Sequence, residues 1–575
     1  MNLFNDFQFK IEKLLQNLQK DDLLKVPDNL SVLSVELPPK NQEGDFACNA
    51  AMILSKINKK KTLDLAFFLK KHFIKNFKEI ENIKIAGPGF LNITFTKLFW
   101  FDFLLKLIKL KSKYGISNSI KKKYNVEFVS ANPTGPLHVG HCRGAVLGDV
   151  ISNLLIFDGH LVTKEYYVND YGNQIKNFVF SVYYRIIEIL KMKKFPVDKD
   201  LYPGDYIIDI AKSIIRKKSI NNFDDIDKIF DKLSEESLLS SMEIIKTNLF
   251  MLGIKHDNFV YESDLIKDKI VLKAVNDLEK LNYIYSGKLQ PPKGEDPTKW
   301  NSRKQMLFKS TIFGDDIDRA LQKEDNTWTY FAGDIGYHSH KVNRNFDVLV
   351  NILGADHAGY IKRISAAVKA MSENKVDLKC KVSQLVKLYK DKKPFKMSKR
   401  KGDYITAEDL VNEVGKDSVR FMMLNRSNDV ELDFDFKKVT EKSKDNPVFY
   451  VQYAYARINS IFKSLNLKIE DQILPKKDKV ELNSYEINIL KKIAEWPRCI
   501  ETTSSKLEPH PIPFYLYELS TLFHSYWSVG NKNKEFRFII EGKNVSNSRL
   551  LILQSLAIVI KNGMLILGVS TPDSM

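Results

Sequence analysis

The stretch from Asn125 to Asn169 leaves few folds open to this chain. NVEFVS is a short strand and runs into the loop ANPTGPLHVGH. CRGAVLGDVISNLLIF then reads as a helix, closed by Gly159 in the position of a C-terminal cap. LVTKEYYVN follows as a second strand. A strand–loop–helix–strand unit of this kind belongs to a parallel sheet. Its glycine-containing loop lies at the first strand's carboxyl end, where doubly wound sheets bind nucleotides.

His138 and His141, with Gly140 between them, sit in that loop. They could be metal ligands, an acid/base pair or a nucleotide cradle. Zinc requires about three or four nitrogen or sulfur donors, and only Cys142 lies nearby. No metal site is therefore expected. One histidine could equally cap the helix while the other packs. The glycines flanking His138 favour the cradle, because they remove side chains where backbone must approach a ligand. The helix beginning near His141 offers free N–H groups and a positive dipole end. Imidazoles there can donate to phosphate oxygens and stabilise charge in a transition state.

At 575 residues the chain exceeds one compact core, and about three or four domains are expected. Lys and Arg total 89 against 71 for Asp and Glu, a formal charge of +18. That excess favours a polyanion such as nucleic acid, although a lysine-rich composition alone would give the same number. The four cysteines (Cys48, Cys142, Cys380 and Cys499) show no CxxC spacing, which fits a reducing cytoplasm. MNLFNDFQFKIEKLLQ lacks the features of a secretory signal. The run LLILQSLAIVI is shorter than the roughly 20 residues a membrane span needs. A cytoplasmic protein without a membrane partner is expected.

Elsewhere, Gly87-Pro88-Gly89 reads as a turn before the strand LNITF, and Lys111 to Tyr124 reads as a basic linker. Gln174 to Asn301 reads as mostly helical, an insertion in the nucleotide fold. FDVLVNILG looks like a buried parallel strand and GYIKRISAAVKAM like the helix after it. In ITAEDLVNEVG, Thr406 stands three before Asp409, a capping-box spacing, and Gly415 closes the helix. Beyond Asp445 the pattern is helical up to a short tail.

DKKPFKMSKRKGDYITAEDL holds KMSKR, from Lys396 to Arg400. By itself it could be a solvated basic turn. An HxGH loop early and a KMSK sequence late, on either side of a nucleotide fold, is the paired signature of class I aminoacyl-tRNA synthetases. ANPTGPLHVGH resembles the first motif of the arginyl-tRNA synthetase family, with Val139 in place of isoleucine. YYVNDYGNQI, TYFAGDIGYHSHK, LGADHAGYIKR, NPVFYVQYAYARI and GMLILGVSTPDSM extend the resemblance to Met575.

The resemblance implies a Rossmann-type parallel-sheet catalytic domain with a helical insertion, an α+β N-terminal domain and an all-α anticodon-binding domain. It places an N-terminal tRNA-contacting domain at residues 1–112 and the catalytic domain at 120–370, with the insertion at about 175–300. The KMSKR loop and linking helices fall at 371–440 and the anticodon-binding helices at 441–575. The implied reaction is activation of arginine by ATP to arginyl-adenylate, then transfer to the 3′ end of arginine tRNA, releasing AMP and diphosphate. Mg²⁺ accompanies the ATP, and a monomer is expected.

In this reading His138, His141, Lys396 and Lys399 are the catalytic groups. Pro136, Gly140, Met397 and Ser398 join them around ATP. The sequence has KMSKR where many class I enzymes have KMSKS, but the second lysine is retained. Asp334 and Tyr330 would meet the guanidinium, supported by Glu127, since a planar cation is best matched by a carboxylate. Tyr330, Asp334 and Tyr337 share a helical face by spacing. Ser130 and Asn132 would hold the amino and carboxyl groups, and either Asp356 or His357 would line the pocket. Asn169, Asp170, Gly172 and Gln174 would line it too. Tyr453 and Met575 are candidate tRNA contacts. Glutamyl-tRNA synthetase has a similar first motif, but its pocket must present cations to a carboxylate. An inactive tRNA-binding paralogue would be expected to lose the histidines and lysines, which are all present here.

Overall fold

The computed structural model describes every residue except 40, 290–302, 391–392, 395–404, 474–480, 541–542 and 545. It divides into two compact units, one of residues 120–440 with 508–510, the other of residues 1–119, 441–507 and 511–575.

The first unit is built on five parallel strands: β1 (Lys123–Glu127), β2 (Leu161–Val168), β3 (Asn258–Tyr261), β4 (Val348–Gly354) and β5 (Asp377–Ser383). Their order in the sheet is 5-4-1-2-3. The chain moves one way from β1 to β2 and β3, and the other way to β4 and β5. The order reverses between β1 and β4, so a crevice opens beyond their carboxyl ends. Helix α1 (Val139–Phe157) follows β1, and its apolar residues are buried nearly all round. Helix α2 (Tyr330–Val342) precedes β4.

β3 corrects the reading of residues 175–300 as a helical insertion. Asn258–Tyr261 pairs in parallel with β2 and forms the sheet's edge. Four residues give too little alternation to stand out from the helices before them. Those helices, Asn173–Lys191, Asp205–Lys217 and Ile226–Met251, bury Ile and Phe side chains in a small core of their own.

The second unit holds a four-stranded antiparallel sheet from its N-terminal part, ordered Val35–Glu36, Phe46–Cys48, Phe90–Phe95, Ile80–Ala86. The expected linker is partly structural. Tyr114 is fully buried and donates its hydroxyl to the Ile493 carbonyl at 2.9 Å, while Trp496 donates to the Tyr114 carbonyl at 3.1 Å. The C-terminal part is helical, as expected. Its last helix, Asn547–Leu567, is 21 residues long, well beyond the apolar run read from the sequence. By length and composition it could cross a membrane. Most of it is buried inside the unit, which is how a core helix of a helical domain reads.

Candidate active site

The crevice at the β1/β4 reversal begins with a sharp bend. Val129 and Ser130, just past β1, have φ of +71° and +41°, left-handed values that side chains rarely adopt. The bend turns the Ser130 hydroxyl back, so that it donates to Glu127 Oε1 at 3.0 Å and accepts the Tyr167 N–H at 3.1 Å. Asn132 Nδ2 donates to Gln174 Oε1 across the loop. The loop is supported by the helices read as an insertion. Tyr206 donates its hydroxyl to the Thr134 carbonyl at 2.8 Å, and Asn248 accepts the Leu137 N–H at 3.0 Å. Pro136 lies between these two supports.

His138 is the N-cap of α1, and it forms a reciprocal cap with His141. Nδ1 of His138 accepts the Gly140 N–H at 3.1 Å, and Nδ1 of His141 accepts the His138 N–H at 3.2 Å. The rings stack with centroids 3.8 Å apart. With each Nδ1 accepting from backbone, a neutral ring carries its proton on Nε2, which makes both Nε2 atoms donors. A side chain at Gly140 would place its Cβ 2.8 Å from the His138 ring, so glycine is what permits the stack. The capping alternative is therefore the arrangement found, and the caps hold both rings in fixed orientations.

The main chain just after residues 395–404 is stitched to this turn. His138 and Thr406 form an antiparallel bridge; Val139 donates to the Ile405 carbonyl at 3.0 Å and Ala407 to the Leu137 carbonyl at 2.8 Å. Thr406 and Asp409 make the expected capping box on helix Ala407–Val414. Lys396, Met397, Ser398 and Lys399 lie outside the described residues.

The other wall is acidic. Tyr330, Asp334 and Tyr337 follow one stripe of α2 from solvent inward. Tyr330 is 88% exposed, with its ring beneath the Lys323 ammonium at 5.4 Å, whereas Tyr337 is buried and donates to Glu165 Oε1 at 2.9 Å. Tyr330 is therefore not brought to the Asp334 carboxylate. Tyr360 is, and its hydroxyl donates to Asp334 Oδ2. Burial pushes Asp334 up to about 6; the Tyr360 bond opposes the rise and Glu127 adds to it. Glu262, at the end of β3, is pushed up to about 7 by burial, then by the charges of Asp170 and Asp334. Asp170 accepts from the Ser263 N–H at 2.9 Å and hydroxyl at 2.6 Å.

Glu127 differs from its expected role in one respect. A fully buried lysine, Lys341, donates to its Oε2, so this carboxylate already has a cation. Asp356 and His357 lie in the turn after β4, both exposed, with Asp356 Oδ2 3.5 Å from His357 Nε2. Sequence reasoning missed Lys341, Tyr360 and Glu262. Only YESD, directly after the short edge strand, could have signalled Glu262. In the other unit, Tyr453 accepts a hydrogen bond from Arg457 at 2.9 Å and stacks near His524, and Met575 is 54% exposed.

Comparison with known proteins gives concordant results. Residues 6–95 match the family model described as the arginyl tRNA synthetase N terminal domain, and 451–575 that of the DALR anticodon binding domain. Residues 104–197 and 299–463 match the catalytic domain of class I (R) tRNA synthetases. The chain is 56% identical to the arginine–tRNA ligase of Pelagibacter ubique, with 100% of both chains covered. It is 43% identical to that of Anaplasma phagocytophilum, covering 100% of this chain and 99% of the relative. Among solved structures, the Plasmodium falciparum arginyl-tRNA synthetase aligns with a TM-score of 0.70 at 18% identity, covering 99% of each chain. The Thermus thermophilus enzyme aligns at 0.68 and 18%, covering 98% of this chain and 99% of that one. At those identities the structures speak for the fold.

Proposed function

The chain belongs to the arginine–tRNA ligase family of class I aminoacyl-tRNA synthetases, and from that premise we propose how its residues divide the work. Its substrates are arginine, ATP and arginine tRNA. An arginine carboxylate oxygen attacks the α-phosphorus of ATP, the bond to pyrophosphate breaks, and the terminal ribose hydroxyl of the tRNA then displaces AMP from the arginyl carbonyl. Neither step needs a nucleophilic side chain. Positioning and charge stabilisation supply the acceleration.

The observation that carries the residue assignment is Asp334. It is withdrawn from water, raised to about 6, and bonded to no cation among the described residues. A guanidinium supplies what the site lacks and remains charged at every relevant pH. Glu262 adds a second carboxylate, and Tyr330 closes over the ligand from the rim. Glu127, neutralised by Lys341, acts by orienting Ser130, which with Asn132 holds the arginine amino and carboxyl groups. Asp356 and His357 border the amino-acid and adenosine sites. A glutamate pocket would need the opposite polarity here.

His138 and His141 donate from Nε2 to ATP phosphates beside the first turn of α1, with Pro136 and Gly140 shaping the adenosine approach. Lys396 and Lys399, with Met397 and Ser398, clamp the pyrophosphate. Mg²⁺ arrives with ATP, held by its phosphates. The N-terminal part of the chain reads the outer corner of the tRNA, while the helical C-terminal part, with Tyr453 and Met575, reads the anticodon. Four free cysteines support a reducing, cytoplasmic setting, and we expect a monomer.

His141→Ala and Lys399→Ala test the assignment. Each is expected to lower arginyl-tRNA formation on the order of 10²-fold or more, as loss of a preorganised donor does. Charging of tRNA at the wild-type rate by both variants would sink it.

A further inference from the structure

Arg143, in the second turn of α1, is 1% exposed. Its Nη1 donates to the carbonyls of Gln384 at 3.0 Å and Val430 at 2.7 Å, and its Nη2 to that of Ser427 at 2.8 Å. No carboxylate is among these hydrogen-bond partners; the charges of Asp429 and Arg426 act on it in opposite senses. Burying a guanidinium on neutral carbonyls is a costly way to hold a fold together, and an apolar side chain of similar size would serve stability better. What it achieves is geometric: one planar fork fixes two separate main-chain segments at once.

Those segments matter because of where they lead. Gln384 stands two residues before β6 (Val386–Lys390), the strand that leads in sequence to residues 395–404. Ser427 to Val430 form the turn before β7 (Leu432–Asp435), and β7 pairs in parallel with β6. Gln384 also donates to the Asn428 carbonyl at 2.9 Å, so the fork closes a small ring of main chain around its tip. On the far side of 395–404, Ile405 to Ala407 are bonded to Leu137 and Val139, at the start of the same helix. A second buried tie reinforces the helix lower down. Asp149 of α1 accepts from Lys164 at 2.6 Å and from Arg420 at 2.5 Å, and Arg420 also donates to the Leu252 carbonyl at 2.9 Å.

We propose that Arg143 is a positioning residue for adenylate formation: it fixes the chain leading into the KMSKR segment onto the helix that begins with His138 and His141. The downstream side is fixed by main-chain bonds and the upstream side by this guanidinium. The described chain on either side of 395–404 is thereby referred to one rigid element. Lysine cannot substitute fully, since an ammonium lacks the planar fork that spans the two segments. The inference rests on the role assigned above to Lys399.

ATP–pyrophosphate exchange, measured with arginine and arginine tRNA present, tests it on the full-length chain. Arg143→Gln is expected to lower kcat on the order of 10²-fold, the scale of a displaced catalytic group, while KM for arginine stays within about twofold. Arg143→Lys should recover only part of that loss. The decisive measurement is a double-mutant cycle with Lys399→Ala. If Arg143 acts by placing that lysine, the double variant is no slower than Lys399→Ala alone. Losses that multiply, a wild-type kcat for Arg143→Gln, or a loss confined to KM for arginine would each overturn the inference. If Arg143→Gln does not fold, the same cycle is run with Arg143→Lys. A wild-type rate for Lys399→Ala alone would overturn the role given to the lysine itself, and is read from a separate arm.

Discussion

Glu165 on β2 is fully buried and Asp334 on α2 partly so, and their surroundings treat the two carboxylates in opposite ways. Burial alone would raise Glu165, but Arg344 binds both of its oxygens, at 2.6 and 2.8 Å, and with Lys341 and Asn258 holds it down to about 2. Asp334 receives a tyrosine hydroxyl and no bonded cation among the described residues, and it rises to about 6. A buried carboxylate supplied with its own cations serves the fold. One left without them makes the empty protein hold an unfavourable charge, which a cationic ligand relieves. Within one acidic wall the difference separates a carboxylate paired with cations from the one proposed above to meet arginine.

The contrast has a consequence for stability. The lowered pKa of Glu165 stabilises the fold above its ordinary pKa, and that contribution is lost as pH falls toward about 2. The raised pKa of Asp334 has the reverse sign. Its contribution is present below the ordinary aspartate value and is lost as pH rises through about 6.

Removing the charge at Asp334 should break the comparison most severely. Asp334→Asn is expected to lower kcat/KM for arginine on the order of 10³-fold, the scale of losing one member of a buried charge-assisted pair. The ligand-free protein should melt no lower than wild type, because the lost charge was unfavourable there. A variant that unfolds, or one that activates arginine normally, would contradict the scheme. Arg344→Met attacks the other carboxylate. Leaving Glu165 buried without its principal cation should cost about 3 kcal/mol of stability. Chemical denaturation would register this, and an unchanged midpoint would show that Glu165 is not the scaffold group described here. The smallest effect is in pH. On the proposed assignment arginine meets the ionised form of Asp334, so KM for arginine should rise as pH falls below about 6, by about tenfold at pH 5. Exchange kinetics across pH 5 to 8 give this curve, and a flat profile would remove Asp334 from the contact.

Much of the candidate site's local geometry was legible in the chain, because several of its groups sit in contiguous motifs at strand ends. His138, Gly140 and His141 fall within four residues, and their orientation follows from local capping rather than distant packing. Asp334 could be placed by helical spacing. Lys341 and Tyr360 could not, since each meets its partner only when α2, β1 and the turn after β4 converge. Tyr330 shows the limit of spacing: it shares a stripe with Asp334, yet a position at the helix start leaves it in solvent. The edge strand β3 was hidden because a parallel pair at a sheet edge needs only four residues when its partner is already in place.

By itself the sequence determined the class of fold and, through the resemblance its motifs carry, the family. Motif spacing, strand-to-helix periodicity and residue type are local properties, and local properties survive without coordinates. Only the tertiary structure decided which carboxylates meet a cation and which, among the described residues, does not. It also decided which imidazole nitrogens donate, and that Arg143 joins the first motif to the chain on the way to the second. Apart from the histidine caps, which are local, those outcomes depend on burial and on pairing between residues far apart in the chain, such as Lys341 with Glu127 and Arg143 with Ser427. No pattern along the chain encodes how far water is excluded from a side chain or which opposite charge reaches it first.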